Sequence, residues 1–399
     1  MITKNLKFKN KEGIELSAKL ELPIDQQPKA YAVFAHCFTC NKNFHGPRNI
    51  SRNLTARGFA VLLFDFTGLG QSGGDFESTN FSTNISDVID AVNFLSENYE
   101  TPKIIIGHSL GGLAALYTAN QLKEIEAVVT IGSPFMPSHL KKLLSKGLEE
   151  IKKEGKAEVN IGGRPFMIDS SFIEDIEKHD TRSVAKELRR ALLIMHSPQD
   201  EIVSIDNAAQ LYNSAMHPKS FISLDGASHL LQNQADSSYV GQVISTWVTR
   251  YIEVHQESTP TKVGEVIAQT NHESYLTEIR ANEHRFIMDE PEEVGGNNLG
   301  PTPHQMLSAA LAACSTMTMQ MYAKRKDWPL ESATASVIHA KVDKEVEGKT
   351  VKVDQFKRLV EIKGDLNEEQ RNRIFEISNK CPVKRTLESD IEIISTLKE

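Results

Sequence analysis

The spacing of apolar and polar positions changes character along this chain, and those changes divide it. From Leu6 to Leu22 the two alternate, the period of a half-buried hairpin. Short apolar runs bounded by turn residues follow at Ala32 to Ala35, Ala60 to Phe64, Ile104 to Ile106, Val128 to Ile131, Leu192 to Met195 and Phe221 to Leu224. Runs of that length and make-up predict buried parallel strands. Helical patterns lie between them. Ile85, Val88, Ile89, Val92 and Leu95 fall on one stripe, and a second helix closes the unit from Gly241 through Trp247 to Tyr251. The alternation predicts an α/β fold with a mostly parallel, right-handed sheet and functional loops at the carboxyl ends of the strands.

The alternation breaks at about 134–189. There Leu140, Leu143, Leu144, Leu148 and Ile151 predict an amphipathic helix, and Ala157 to Ile161 with Pro165 to Ile168 predict a small hairpin about Gly162-Gly163. An insertion that leaves from a strand end reads as a cap. As a lid it would exclude water and set substrate choice; the alternative is a surface embellishment. Its departure point, where a site on this architecture must lie, favours the lid.

Periodic structure stops near Tyr251-Ile252, and the polar, proline-bearing stretch His255 to Lys262 reads as a connection. The expected domains are therefore 1–255 and 263–399. Beyond the connection, strands are expected at Gly264 to Thr270, Tyr275 to Ile279, Phe286 to Met288, Ala335 to Val342, Phe356 to Ile362 and Ile391 to Ile394. A long helix from Pro303 to Lys326 and another from Asn367 to Asn379 complete an α+β domain with its helices on one side.

Composition narrows the function classes. The 399 residues exceed what one core usually serves, and 40% hydrophobic with 25% charged residues describes a globular protein. A formal charge of -8, interspersed in sign, offers no basic face for nucleic acid or anionic lipid. No apolar leader follows Met1 and no run approaches the roughly 18 residues that span a bilayer, so a cytoplasmic protein without membrane partners is expected. The four cysteines, Cys37, Cys40, Cys314 and Cys381, are too few for a disulfide scaffold. Cys37 and Cys40 lack a second pair to complete a zinc site, so neither metal nor cofactor is expected, and small apolar packing is their preferred role.

Ile104 to Gly112 carries the chemistry of the first domain: an apolar run, then Gly107-His108-Ser109-Leu110-Gly111, then a helical pattern. In such an elbow a strained turn lifts the serine hydroxyl above the sheet edge. The alternative is a serine that only caps the helix. A nucleophilic serine needs a base, and the base an acid, expected in the order Ser, Asp, His. Asp200 follows the strand at Leu192 to Met195 and His229 follows the next, both on the correct edge, with Asp206 and Asp225 as rival acids. Of the chain's 13 histidines most must be solvated or structural. For the oxyanion, one donor is the Leu110 amide and the other the amide of Phe38, in the loop after Ala35-His36.

His36-Cys37-Phe38-Thr39-Cys40, Phe64 to Gly70, Gly107 to Gly112 and Ser223 to Ala227 resemble the α/β-hydrolase superfamily. That resemblance implies an esterase or thioesterase acting on a small-molecule ester. Cys37 stands where esterases of the superfamily usually have glycine, which changes the shape of the oxyanion loop but not its main-chain donor.

In the second domain Leu307, Ala310, Leu311, Cys314, Met317 and Met321 fall on one stripe of the long helix, which predicts a buried Cys314. Cys381 opens Cys381-Pro382-Val383 after the second helix, and spacing alone makes both cysteines small core residues. Gly295-Gly296, Gly300 to Pro303, Ala309 to Cys314 and Cys381 to Val383 resemble the OsmC/Ohr family. Across both halves the chain is similar to bifunctional α/β-hydrolase and OsmC fusion proteins. The resemblance implies that Cys314 attacks an organic hydroperoxide, that Cys381 resolves the product, that a dithiol returns the pair to the reduced state, and that the domain forms homodimers. It also implies an acidic residue nine or ten positions before Cys314, where this chain has Gln305 and His304, and an arginine that Asp289 to Asn298 does not supply. Arg285 or Arg385 would have to substitute. A non-catalytic dimerisation or binding module fused to an active hydrolase is the alternative, and a binding protein with an inert serine a third reading.

Overall fold

A computed structural model describes residues 2–23, 26–38, 40–139, 147–161, 164–254, 264–271, 274–282, 284–346 and 349–397. The chain separates into two compact units, Met1–Asn271 with Glu278–Phe286, and His272–Thr277 with Ile287–Glu399.

The strands of the first unit are β1 (Ile2–Lys9), β2 (Glu15–Leu22), β3 (Tyr31–Ala35), β4 (Ala60–Phe64), β5 (Ile104–His108), β6 (Ala127–Ile131), β7 (Lys156–Ile161), β8 (Arg164–Asp169), β9 (Ala191–His196) and β10 (Lys219–Ser223). All but β7 and β8 form one sheet, in the order β1-β2-β4-β3-β5-β6-β9-β10. It is parallel from β4 to β10, with β1 and β2 antiparallel at one edge. Because side chains alternate faces, each central strand feeds two cores. Val33, Leu62, Ile105, Val128 and Leu192 point to one, and Phe34, Leu63, Ile106, Val129 and Leu193 to the other. Helices cover both faces: α1 (His45–Thr55), α2 (Phe81–Asn98), α3 (Leu110–Gln121), α4 (Leu148–Glu154), α5 (Ser170–Glu177), α6 (Thr181–Glu187), α7 (Asp206–Ser214) and α8 (Gln234–Val248). The predicted stripe of α2 is buried as expected, and an Asn80/Thr83 capping box fixes its start. β10 differs from the buried strand predicted. It is the sheet edge, so Phe221 is 40% exposed.

The inserted segment includes the predicted hairpin, β7 against β8, paired from Lys156↔Asp169 to Ile161↔Arg164. Part of the predicted helix, 140–146, lies outside the described residues, as do the hairpin glycines 162–163; the rest of the helix is α4. Polar contacts tie the insertion down. Lys156 pairs with Glu77 at 2.6 Å, and Asp175 accepts from the backbone N and hydroxyl of Ser82 at 2.8 and 2.7 Å.

The predicted connection, 255–262, lies outside the described residues. Beyond it come β11 (Val266–Asn271), β12 (Ser274–Ala281) and β13 (His284–Met288), a three-stranded sheet, then α9 (Pro303–Lys326), the long antiparallel pair β14 (Leu330–Val346) and β15 (Lys349–Gly364), α10 (Glu368–Ser378) and α11 (Pro382–Glu388). Met319, Ala323, Leu330, Leu366 and Ile374 form the small core of the second unit. Two expectations fail here. Ile391 to Ile394 is not a strand: it has no ladder partner, and Ile393 is 84% exposed. The buried stripe of α9 is Leu311, Ser315, Met319 and Ala323, while Cys314, expected to be buried, is half-buried and Met317 and Met321 are exposed. A helix apolar on more than one side gives periodicity no unique face to choose. Among the described residues no helix is long and apolar enough to cross a membrane.

Candidate active site

Ser109 sits between β5 and α3 at φ 55°, ψ -124°, a conformation that costs an L-residue of order 1–3 kcal/mol and persists only where its surroundings impose it. The surroundings are close backbone contacts. A Cβ on Gly107 would lie 2.2 Å from the Gly111 carbonyl oxygen, and one on Gly111 would lie 2.4 Å from those of Ala35 and His36. Only glycine fits at either position. The Ser109 amide donates to Ile131 O at 2.8 Å, which ties the turn to β6.

The loops after β9 and β10 bring Asp200 and His229 to this serine. His229 Nε2 lies 3.2 Å from Ser109 Oγ, and His229 Nδ1 lies 2.7 Å from Asp200 Oδ2. Asp200 also accepts from the amides of Ile202 and Val203 at 2.9 and 2.8 Å. Burial pushes its carboxyl upward, but the His229 hydrogen bond and charge and the two amides outweigh burial and hold it below the usual range. The rival acids are used elsewhere: Asp225 accepts from Ser223 Oγ, and Asp206 begins α7. Behind the trio, His108 Nε2 donates to His229 O at 2.7 Å, and burial first, then the neighbouring His229, depress His108 to about 3. Burial likewise lowers His196, which lies 3.6 Å from Asp200 and donates from Nε2 to Val203 O. Both are neutral at physiological pH and act as rigid hydrogen-bond donors rather than charges.

Leu110, as the first residue of α3, has an amide with no acceptor inside the helix. It and Phe38 line one cavity of about 10 Å³, walled further by Phe66, Leu69, Phe76 and Asn84. A separate groove of about 400 Å³ runs past His229, Ile202 and Gln232. The insertion reaches the first of these spaces. Phe172 packs on Phe38 at 5.5 Å and Phe166 on Phe76 at 4.9 Å, so the segment is in contact with the candidate site rather than a remote embellishment.

Two features of the Phe38 loop were not foreseen. Cys37 and Cys40 form a disulfide with Cα atoms 5.3 Å apart, which corrects the expectation of simple apolar packing. A turn that brings the Cys40 amide to Cys37 O sets that separation, inside the range a disulfide needs. Next to it, fully buried Lys42 donates from Nζ to Asp65 Oδ2 at 2.6 Å, Ser17 Oγ at 2.9 Å and Gln71 Oε1 at 3.0 Å. Asp65 in turn accepts from the amides of Lys42 and Gln71. The pair binds the Phe38 loop to the loop after β4. A lysine two residues after a cysteine turn gave no periodic signal by which to find it.

In the second unit Cys314 and Cys381 come together. Cys381, the N-cap of α11, accepts at Sγ from the Lys384 amide at 3.3 Å and from Ser315 Oγ at 3.8 Å, and is hydrogen-bonded to Cys314. The arginine at this pair is Arg358 of β15, not Arg285 or Arg385. Its guanidinium donates to Ser315 Oγ, Ser378 O, Ser378 Oγ and Asn379 Oδ1. Burial raises the Cys381 thiol, but the Lys384, Cys314 and Ser315 hydrogen bonds and the Arg358 charge outweigh it, and the thiol ends below its ordinary value. A sequence signal for Arg358 existed: it shares the inward face of β15 with Phe356, Val360 and Ile362, where a charge is out of place. The two positions expected to be acidic are otherwise engaged. Gln305 closes a capping box with Thr302, and His304 stacks on His339.

Comparison with known proteins agrees with both halves. Residues 26–184 match the family described as serine aminopeptidase, S33, and residues 295–396 that described as OsmC-like protein. The crystal structure of the esterase domain from a Rhodothermus marinus protein is 47% identical, covering 63% of this chain and 99% of that one, with a TM-score of 0.53. Mouse alpha/beta hydrolase domain-containing protein 10 is 20% identical over 62% of this chain and 99% of its own, TM-score 0.53, a likeness of fold alone. The human mitochondrial palmitoyl-protein thioesterase ABHD10 is 24% identical over 188 residues, 45% of this chain and 60% of the relative. The chain thus spans about three fifths of the length of the curated relatives it matches. With an elbow, a mostly parallel sheet and a near-complete match to a solved esterase domain in front, and an OsmC-like α+β unit behind, this chain belongs to the α/β-hydrolase and OsmC fusion proteins.

Proposed function

We propose that the first unit is a serine esterase or thioesterase that works through an acyl-enzyme. Ser109 Oγ attacks the acyl carbonyl while His229 Nε2 takes its proton; Asp200 holds the imidazole tautomer and stabilises its charged form. The amides of Leu110 and Phe38 receive the oxyanion. The proton then passes from His229 to the leaving alcohol or thiol, and water repeats the sequence to release the acid. The observation that carries this reading is the unbroken contact from Ser109 through His229 to Asp200, at 3.2 and 2.7 Å. Ser109→Ala should abolish hydrolysis of p-nitrophenyl esters and labelling by a fluorophosphonate. Undiminished hydrolysis would overturn the assignment.

For the second unit the proposed activity is thiol-dependent reduction of organic hydroperoxides. Cys314 sulfur bonds to the distal peroxide oxygen, the O–O bond breaks and the alcohol leaves with a proton. The resulting sulfenic acid condenses with Cys381, releasing water and forming a disulfide that a dithiol reduces. The contact between the two thiols, with Arg358 beside them, supports this. Hydroperoxide consumption should vanish in Cys314→Ser. A second reading, a module for homodimer assembly, has its own support: Met317, Met321, Ile338 and Leu359 are 63 to 74% exposed, an apolar set a second copy would cover. Rapid reaction of the thiols with cumene hydroperoxide favours the peroxidase, and its absence in a dimeric protein favours the module.

A further inference from the structure

His304, His339 and Asp354 lie far apart in sequence and meet on one face of the second unit. His304 projects from the first turn of α9, His339 from β14 and Asp354 from β15, and one ligand atom from each falls within 4.8 Å of the others. His339 Nε2 is 2.7 Å from Asp354 Oδ1, a diagonal cross-strand pair next to the register partners His339↔Phe356 and Lys341↔Asp354. The two imidazole rings stack at 4.6 Å with planes 8° apart, and both line a cavity of about 360 Å³ floored by Ser308, Ala309, Ala312 and Val337.

We propose that these three side chains form a binding site for a divalent transition metal of the zinc type, open toward that cavity. Two imidazoles and one carboxylate are a donor set for Zn²⁺ or its neighbours rather than for Ca²⁺ or Mg²⁺, which prefer oxygen. The distances suit it. Ligand atoms about 2.05 Å from a tetrahedral zinc stand about 3.4 Å from each other, so His304 closes on the pair by at most about 1.4 Å while the 2.7 Å His339–Asp354 contact opens by roughly 0.7 Å. Parallel stacked rings do not aim their nitrogens at one point, and closure therefore turns the exposed His304 ring, whose neighbours on the cavity side are small. A cross-strand His–Asp pair alone accounts for His339 and Asp354, but not for a second imidazole brought onto the pair by the helix. Three protein ligands leave a fourth position facing the cavity, room for water or a small anionic ligand.

The test uses the full-length chain stripped with EDTA and titrated with ZnCl₂ by calorimetry, with Co²⁺ absorption as a second readout. One Zn²⁺ per chain is expected. His304→Gln, an exposed change that spares the fold, and Asp354→Asn should each weaken binding at least tenfold. The Cys314→Ser/Cys381→Ser double variant should leave it unchanged, and the Co²⁺ spectrum should lack a thiolate charge-transfer band. Failure to bind, binding indifferent to His304→Gln and Asp354→Asn, or a tenfold loss on removal of the cysteines would each overturn the proposal.

Discussion

The space beside Leu110 and Phe38 makes a quantitative prediction about acyl length. At about 10 Å³ it barely reaches the roughly 10–15 Å³ that one water requires, so beyond the carbonyl it accepts about one methyl group. An esterase with an apolar acyl tunnel gains about 0.8 kcal/mol for each methylene it buries, close to fourfold in kcat/KM at 1.36 kcal/mol per tenfold. This protein should show no such gain past acetate, and a loss once the chain must displace Phe38 or Phe76. Phe76→Ala is the informative perturbation. Phe76 packs between Phe38 at 5.5 Å and Phe166 at 4.9 Å, and is not anchored by the sheet. Removing its ring opens space for about three methylenes at roughly 30 Å³ each. If all three are buried the gain is about 2.4 kcal/mol, or roughly 60-fold in kcat/KM, for the longer ester relative to acetate. Initial rates on p-nitrophenyl acetate, butyrate, hexanoate and octanoate, with the Ser109→Ala protein as blank, measure both effects. A wild-type enzyme fastest on octanoate, or a variant in which all four rates change by one common factor, would refute the assignment of this cavity as the acyl pocket.

Other predictions follow from single contacts. Asp200→Asn leaves the imidazole without the acceptor that fixes its tautomer, and kcat should fall by about 10³–10⁴-fold with KM little changed; a loss below tenfold would point to another acid. Lys42→Met strands the buried Asp65 carboxylate and should cost about 3–5 kcal/mol in urea unfolding, whereas a loss under about 1 kcal/mol would mean that water reaches the pair. His108, near 6.5 when unfolded and about 3 when folded, binds its proton only in the unfolded chain between those values. Its contribution to stability is therefore full above pH 6.5 and lost toward pH 3, at up to about 1.4 kcal/mol per pH unit. Unfolding at pH 7 and pH 5 should differ by about 2 kcal/mol and by less in His108→Gln; equal stability at both pH values would contradict the buried neutral imidazole. Arg358→Ala should raise the Cys381 thiol, read as a shift of the ultraviolet thiolate absorbance to higher pH; an unmoved titration would remove Arg358 from the pair.

The α/β half was legible because its signals are local. Val33 and Phe34, or Ile105 and Ile106, are adjacent apolar residues that a two-faced sheet demands, and Gly107 and Gly111 are glycines because a backbone lies 2.2 to 2.4 Å from where a Cβ would be. Asp200 and His229 were found by position after a strand, which topology dictates. What escaped was tertiary. Lys42 meets Asp65 only because two strand-end loops converge, and no spacing between positions 42 and 65 encodes that. In the second unit the stripe on α9 was misread by one residue, since Met317 and Met321 are as apolar as Leu311 and Met319 yet face outward. Hydrophobicity records that a surface is covered, not whether the same chain covers it.

The thiol pair is where reading by resemblance and reading by physics diverge, and the divergence can be argued to a conclusion. Resemblance assigns the attack to the helix cysteine, Cys314, and looks for an arginine near it in sequence. The guanidinium comes instead from β15, held by the serine next to Cys314 and by Ser378 and Asn379 at the end of α10, so that its charge falls on Cys381. The four hydrogen bonds of this arginine all end on neutral oxygens, which leave its charge unneutralised, and that charge lowers the Cys381 thiol. Of the two thiols, Cys381 is therefore the one whose thiolate form these surroundings favour, with Cys314 donating a hydrogen bond to it. Such a pair favours the step after the peroxide has reacted, because the sulfur that must attack the sulfenic acid is the one whose thiolate its surroundings favour. Ultraviolet thiolate absorbance against pH decides the matter, since Cys381 is buried from alkylating reagents: the low-pH thiolate signal of the reduced protein should vanish in Cys381→Ser and remain in Cys314→Ser, and its survival in Cys381→Ser would refute the assignment.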